Sequence, residues 1–214
     1  RRERKMASFD DHHGIPQDNA VYATAEYWEQ RYKNDKGSYD WFKTWKDLKD
    51  TLNPHFNKTD KILQLGCGNS TLSSDMYDDG FEQIVNIDIS ESVIARMAEE
   101  NKERAQMEWK VMDALNLEFT DETFEVALDK GTLDALLTPQ QSPWELEEPL
   151  ASQIDRYLSE VSRVLKKGGK YIYVTFGQPH FRKPILQKEE FSWQLELLTI
   201  GDCFHYFVYI LTKQ

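Results

Sequence analysis

From Lys61 to Phe176, apolar stretches of strand length alternate with helical patterns, an order that few folds accept. KILQL (61–65) runs into a helix opening near Ser70, and QIVNID (83–88) into a helix over SESVIARMAEENKER (90–104). MEWKVMD (107–113) and TFEVALD (123–129) follow, then a helix from about Ser152 to Leu165. Lys166-Lys167-Gly168-Gly169 is expected to close that helix as a glycine turn before a fifth strand, KYIYVTF (170–176). Strand–helix alternation of this kind predicts an α/β fold, a parallel sheet covered by helices on both faces. The end of the chain breaks the pattern. FSWQLELLTI (191–200) and CFHYFVYILTK (203–213) read as two strands about Gly201-Asp202, a hairpin signal. Seven strands are therefore expected, the last two as an antiparallel C-terminal hairpin.

Ahead of the first strand lie two short helical patterns, AEYWEQRYKND (25–35) and FKTWKDLKDTL (42–52), separated by Gly37 and Ser38. Trp28 and Tyr32 are four residues apart and share one helix face, which suits packing on the sheet or a lid over the strand ends. Residues 1–20 are expected to be a flexible tail and residues 21–214 a single domain, with 21–57 as N-terminal lid helices. No apolar run approaches the ~18 residues of a membrane helix, and RRERKM lacks the apolar core of a secretory signal. Cys67 and Cys203 have no paired spacing, which fits a reducing, cytoplasmic setting and no structural zinc. His12 and His13 read as tail residues, and His180 and His205 lack ligand spacing, so no metal site is expected. A net charge of −11 disfavours nucleic acid and tolerates a cationic protein partner, although solubility alone also accounts for it.

In open α/β sheets, ligands sit beyond the carboxyl ends of the strands. The first strand ends in Gly66-Cys67-Gly68. Glycines there permit a tight turn and close backbone approach, and the helix that follows offers free N–H groups. Alone, this tripeptide is common in loops. Asp88 ends the second strand 20 residues after Gly68, where an acid accepts from ribose hydroxyls. Asp113 ends the third, suited to an adenine amine, and Asp129 ends the fourth. Singly, each acid reads more readily as a helix cap or a solvated loop residue than as a ligand contact. Together, at equivalent strand ends, they point to an adenosine-type ligand. A dinucleotide needs a third Gly or Ala where Thr71 stands, and several acids suit a sulfonium better than a diphosphate. The expected cofactor is therefore S-adenosylmethionine, with S-adenosylhomocysteine as product.

GCGNS (66–70), VNIDIS (85–90), MDALNLEF (112–119) and LDKGTLDAL (128–136), with EYWEQRY (26–32), YDWF (39–42) and PHF (179–181), resemble the seven-strand S-adenosylmethionine-dependent methyltransferases. These have a Rossmann-like fold, and the likeness is closest to the methyltransferase-like 13 group, covering nearly the whole chain after residue 20. The resemblance implies aromatic donor contacts from Trp28, Tyr32 and Trp41, and a backbone contact from Gly66 beside Gly68. It also implies that Asp88 and Ile89 hold the ribose and flank the adenine, that Asp113 and Ala114 hold the adenine, and that Asp129 lies beside the donor.

The same resemblance implies a protein-lysine N-methyltransferase with translation elongation factor 1-alpha as substrate. A different protein such as citrate synthase, a small-molecule acceptor, and a non-catalytic cofactor-binding partner stay open. Nucleic-acid amines fit poorly, because no Asn/Asp-Pro-Pro-aromatic tetrapeptide occurs. A lysine must lose its proton before methylation, and Asp129 and Asp134 are the candidates to align it. Asp134 reads equally as a dipole partner at a helix N-terminus. The segment TPQQSPWELEEPL (138–150) is expected to face the substrate or to be a solvated loop, with Trp144 beside Glu145, Glu147 and Glu148.

Overall fold

The computed structural model describes residues 16–142, 145–201 and 204–214. His12, His13, Trp144, Asp202 and Cys203 lie outside the described residues. The element order is α1 (Ala25–Asn34), α2 (Trp45–Leu52), β1 (Ile62–Leu65), α3 (Leu72–Asp78), β2 (Ile84–Asp88), α4 (Glu91–Glu100), β3 (Met107–Val111), β4 (Phe124–Lys130), α5 (Thr132–Leu136), α6 (Leu150–Val164), β5 (Leu165–Thr175), α7 (Pro179–Leu186), β6 (Trp193–Ile200) and β7 (Tyr206–Lys213). The strands form one sheet in the order β3-β2-β1-β4-β5-β7-β6. The first five run parallel, and β7 is antiparallel to both β5 and β6. The expected Rossmann-like seven-stranded sheet with its C-terminal hairpin is what forms.

Strand period sorts the core onto the two faces. Leu63, Leu65, Val85, Ile87, Tyr171 and Tyr173 point to one face, where Ile154, Tyr157, Leu158 and Val161 of α6 cover them. Ile62, Ile84, Ile172 and Val174 point to the other, under Trp45, Leu48 and Leu52 of α2 and Leu72 and Met76 of α3. The α6 residues recur at i, i+3, i+4 and i+7, one helix stripe, and each such side chain contributes about 1.5–3 kcal/mol on burial.

Several local expectations differ from what forms. Lys166 to Gly169 do not close a helix, because α6 ends at Val164 and β5 starts at Leu165. Leu165 pairs with Phe124 and Lys170 with Val126, so residues 166–169 bulge out of the strand, with Gly168 at φ +75°. The second N-terminal helix begins at Trp45 rather than at residue 42, since Phe42 adopts φ +66° and Thr44 with Asp47 forms a capping box. The short helices α5 and α7 were not anticipated. A 3-10 turn over Asn19–Ala23, capped by the Asp18 side chain, starts at the end of the stretch expected to be tail. β7 begins at Tyr206, later than residue 203.

Candidate active site

The strand order reverses between β1 and β4, and the carboxyl ends of β1, β2 and β4 surround a cavity of about 330 Å³. Its base is the turn after β1. Gly66 and Gly68 have φ +57° and +52°, a left-handed conformation that favours glycine. Space imposes the same choice. A Cβ on Gly66 would lie 2.1 Å from Thr132 Oγ1, and one on Gly68 would lie 2.5 Å from the Tyr32 hydroxyl. The Gly68 N–H donates to Asp88 Oδ2 at 2.9 Å, and the Ser90 N–H donates to Asp88 Oδ1 at 3.0 Å. Burial pushes the Asp88 carboxyl up to about 6, against the pull of these backbone donors.

Every residue expected at the donor lines this cavity except Asp129: Trp28, Tyr32, Trp41, Gly66, Gly68, Asp88, Ile89, Asp113 and Ala114 are all on its wall. Ile89 is 41% exposed, a free apolar face beside Asp88. Asp113 accepts the Leu115 N–H through Oδ1 alone at 2.8 Å, and the residue is exposed toward the cavity edge. Trp28 and Tyr32 stack at 5.6 Å, and Trp41 stands 6.4 Å from Trp28. Part of their surface is already committed, because the Arg31 guanidinium lies 5.8 Å from Trp28 and 5.5 Å from Trp41.

Asp129 corrects an expectation. Its side chain is fully buried, and it accepts the Thr132 and Leu133 N–H groups of α5 at 2.7 and 3.0 Å and the Tyr157 and Tyr171 hydroxyls at 2.6 and 3.0 Å. Four donors and the start of α5 turn the carboxylate into the protein, so it caps a helix instead of facing a ligand. Burial pushes its pKa up to about 6, against the Tyr157 hydrogen bond and with a further rise from Asp134.

Asp134 is on the cavity wall. Its Oδ1 accepts from Thr175 Oγ1 at 2.7 Å and from Arg182 Nη2 at 2.9 Å. Its Oδ2 is buried and has no hydrogen-bond partner among the described residues. Gln64 Oε1, from a second cavity-lining side chain, is unpartnered in the same way.

Sequence reading missed what holds residues 37–41 against the glycine turn. The Asn69 side chain donates to Gly37 O at 2.7 Å, and the Tyr39 N–H donates to Asn69 O at 3.2 Å. Asp40 accepts from Ser70 and from Thr71 Oγ1, and Lys130 Nζ reaches Asp40 Oδ1 and Trp41 O at 3.0 and 2.9 Å. The polar half of GCGNST thus grips residues 37–41 over the glycine half. On the far side, Glu29 of α1 accepts from Ser90 and Ser92 at 2.6 Å each, which lowers its pKa to about 2.

These features fit S-adenosylmethionine: two carboxylates at the strand ends, apolar walls beside them, and a glycine turn packed too closely on Thr132 and Tyr32 to carry a Cβ. Among the described residues, no group of three or more His, Cys, Asp or Glu is placed to hold a metal ion.

A family model described as a methyltransferase domain matches residues 56–206. EEF1A lysine methyltransferase 4 of Bos taurus is 37% identical over 201 residues, 93% of this chain and 79% of that protein. The eEF1A lysine and N-terminal methyltransferase of Mus musculus is 43% identical over 171 residues, 79% of this chain but 24% of its own length. Among solved structures, a 1,6-didemethyltoxoflavin-N1-methyltransferase of Burkholderia thailandensis with bound S-adenosylhomocysteine superposes with a TM-score of 0.63 at 14% identity, over 96% of this chain and 93% of that one. The glycine turn, the acids at the strand ends and these matches together establish that the chain belongs to the S-adenosylmethionine-dependent methyltransferase family.

Proposed function

We propose that the protein is a cytoplasmic protein-lysine N-methyltransferase acting on translation elongation factor 1A. The observation that carries this reading is the cavity at the strand ends, walled by the glycine turn, Asp88, Asp113 and Asp134. The named relatives that methylate eEF1A support the choice of acceptor, and the one covered over most of its length is a lysine methyltransferase by name. A large exposed ring on the cavity wall, Phe176 at 50%, suits contact with a protein surface.

The donor, when bound, supplies an electrophilic methyl group on sulfur. Asp88, Asp113 and the turn at Gly66–Gly68 would hold its adenosine part, while Trp28 and Trp41 exclude water from the lid side. The chain's remaining task is the amine. At neutral pH, removing the proton of a free lysine costs about 4–5 kcal/mol. Asp134, on the cavity wall, is the candidate to align it.

The test incubates purified protein with radiolabelled S-adenosylmethionine and unmethylated elongation factor 1A, followed by peptide mass mapping. Label on a lysine, lost in Asp134→Asn while donor binding persists, is the expected result. Donor binding with no label on the factor would overturn the substrate assignment.

A further inference from the structure

The aromatic side chains of the donor cavity do not stop at its wall. Phe42 and Phe176, both on that wall, have ring centroids 5.4 Å apart. Phe42 continues to Tyr206 at 5.9 Å, and Tyr206 to Phe204 at 5.2 Å. The row thus runs from the cavity out to the start of β7. Phe176, at the cavity end, is 50% exposed, and Phe204, at the outer end, 63%. Single exposed rings are ordinary on a protein surface, but a contiguous row joined to a ligand cavity marks a contact surface.

The row is built in. Phe42 takes φ +66°, a left-handed conformation rare for a bulky residue, and a Cβ on Gly131 would lie 3.3 Å from its ring. At the outer end, Gly201 takes φ +104°, and a Cβ on it would stand 2.4 Å from Phe204 O. Position across the sheet matters as much. Asp88 ends β2 and Asp113 follows β3, on one side of the β1–β4 reversal, whereas Phe176 follows β5 and Tyr206 opens β7, on the other. With the adenosine held at β2 and β3, the aromatic row lies on the side left for the acceptor.

Charge narrows the occupant. The stretches 41–46, 176–188 and 204–214, which supply these rings, contain six Lys or Arg and no Asp or Glu, in a chain of net charge −11. Arg182, Lys188 and Lys213 are committed to Asp134, to Asp155 and to the carbonyls of Ser162 and Leu165. Lys43 is not. Its Nζ lies 5.0 Å from the Tyr206 ring and enters no ion pair among the described residues. A cation beside an aromatic row is complementary to a surface that brings apolar side chains and a carboxylate.

We propose that Phe42, Phe176, Tyr206 and Phe204, with Lys43 beside them, are the docking ridge for a polypeptide methyl acceptor, whose segment carries an apolar side chain and a carboxylate close to the lysine it delivers to the cavity. A permanent partner on this row would crowd the cavity end at Phe176, whereas the acceptor uses that end. The ridge selects which lysines are presented and takes no part in the methyl transfer itself.

This inference rests on the protein-acceptor reading above, and its test separates the two. Initial rates with radiolabelled S-adenosylmethionine and unmethylated elongation factor 1A give kcat and KM for the factor, and calorimetry gives the affinity for S-adenosylhomocysteine. Phe204→Ser should raise KM about 5–10-fold with kcat and the calorimetric affinity held, while Phe204→Leu stays near the native value. Lys43→Glu should raise KM at least as much and flatten the rise of KM with added salt that the native protein shows. An unchanged KM in both variants would overturn the proposal, and so would a parallel loss of S-adenosylhomocysteine affinity, which marks a structural role. An unchanged KM with a native dimer that Phe204→Ser dissociates in sedimentation would assign the ridge to a second copy of the chain instead. If Phe204→Ser does not fold, Lys43→Glu decides alone through the salt dependence. Should the native protein label other proteins of an unmethylated lysate but not the factor, the choice of substrate fails, and the ridge stands only if both variants weaken that labelling. Label on no protein overturns both readings.

Discussion

Lys130 Nζ stands 3.0 Å from Asp40 Oδ1, with only 3% and 12% of the two side chains exposed. This ion pair joins the end of β4 to the aromatic segment over the donor cavity, and Trp41 O takes a second hydrogen bond from the same ammonium. Burial lowers the Lys130 pKa and pulls that of Asp40 upward, but the Lys130 charge and the hydroxyls of Ser70 and Thr71 hold Asp40 below its usual range.

Removing one partner of such a pair leaves a buried charge, at a cost of about 3–5 kcal/mol. Lys130→Met should therefore loosen residues 37–42 and weaken donor binding at least about tenfold, while the double variant with Asp40→Asn loses less than the sum of the single changes. A double-mutant cycle on donor affinity checks this, and strict additivity would show that the pair does not hold residues 37–42 in place.

Gly66→Ala and Gly68→Ala should both abolish donor binding, for separable reasons. The first collides with Thr132 Oγ1 and the second with the Tyr32 hydroxyl. Tyr32→Phe should then recover part of the affinity of Gly68→Ala and none of that of Gly66→Ala, with Thr132→Ala showing the reverse pattern. Recovery remains partial, because an alanine at positive φ costs about 1–2 kcal/mol. Titration of the four double variants tests the pairing.

Donor affinity should depend on Asp88. With its pKa near 6 in the free protein, the ionised acceptor is depleted below that pH. Affinity should hold steady above about pH 7 and fall about tenfold per unit below 6, with Asp88→Asn weaker and flat across the range. A native profile without an inflection near pH 6 would place the ribose elsewhere.

Asp129→Ala should strand two helix N–H groups and two tyrosine hydroxyls, lowering stability by about 2–4 kcal/mol. Asp129→Asn keeps one carbonyl acceptor and should leave donor affinity intact. The native carboxyl has a folded pKa of about 6 against an ordinary value of 3.8, so its neutral form is favoured in the folded state. Its contribution is full below about pH 4 and is lost as pH rises to about 6. Asp129→Asn should remove that slope from denaturant midpoints measured between pH 4 and 7. Loss of donor binding in Asp129→Asn would return this residue to the cofactor site.

Periodicity determined most of the fold. Short, mostly apolar runs such as ILQL and IVNID fit strands buried on both faces, and the spacing between them leaves room for one helix each. The same reading located the glycine turn, Asp88 and Asp113, because strand ends are set by local sequence and all point to one edge of the sheet. Local sequence did not decide where side chains aim. Asp129 and Asp134 are five residues apart on one motif, yet one is turned inward by two helix N–H groups and two tyrosine hydroxyls and the other belongs to the cavity wall. That difference is made by Tyr157, Tyr171, Thr175 and Arg182, which arrive from later parts of the chain. Likewise, Lys130 and Asp40 are 90 positions apart and meet only because β4 ends beneath the lid. Hydrogen bonds and ion pairs act over about 3–4 Å and depend on direction, so which partners meet was decided by the tertiary structure.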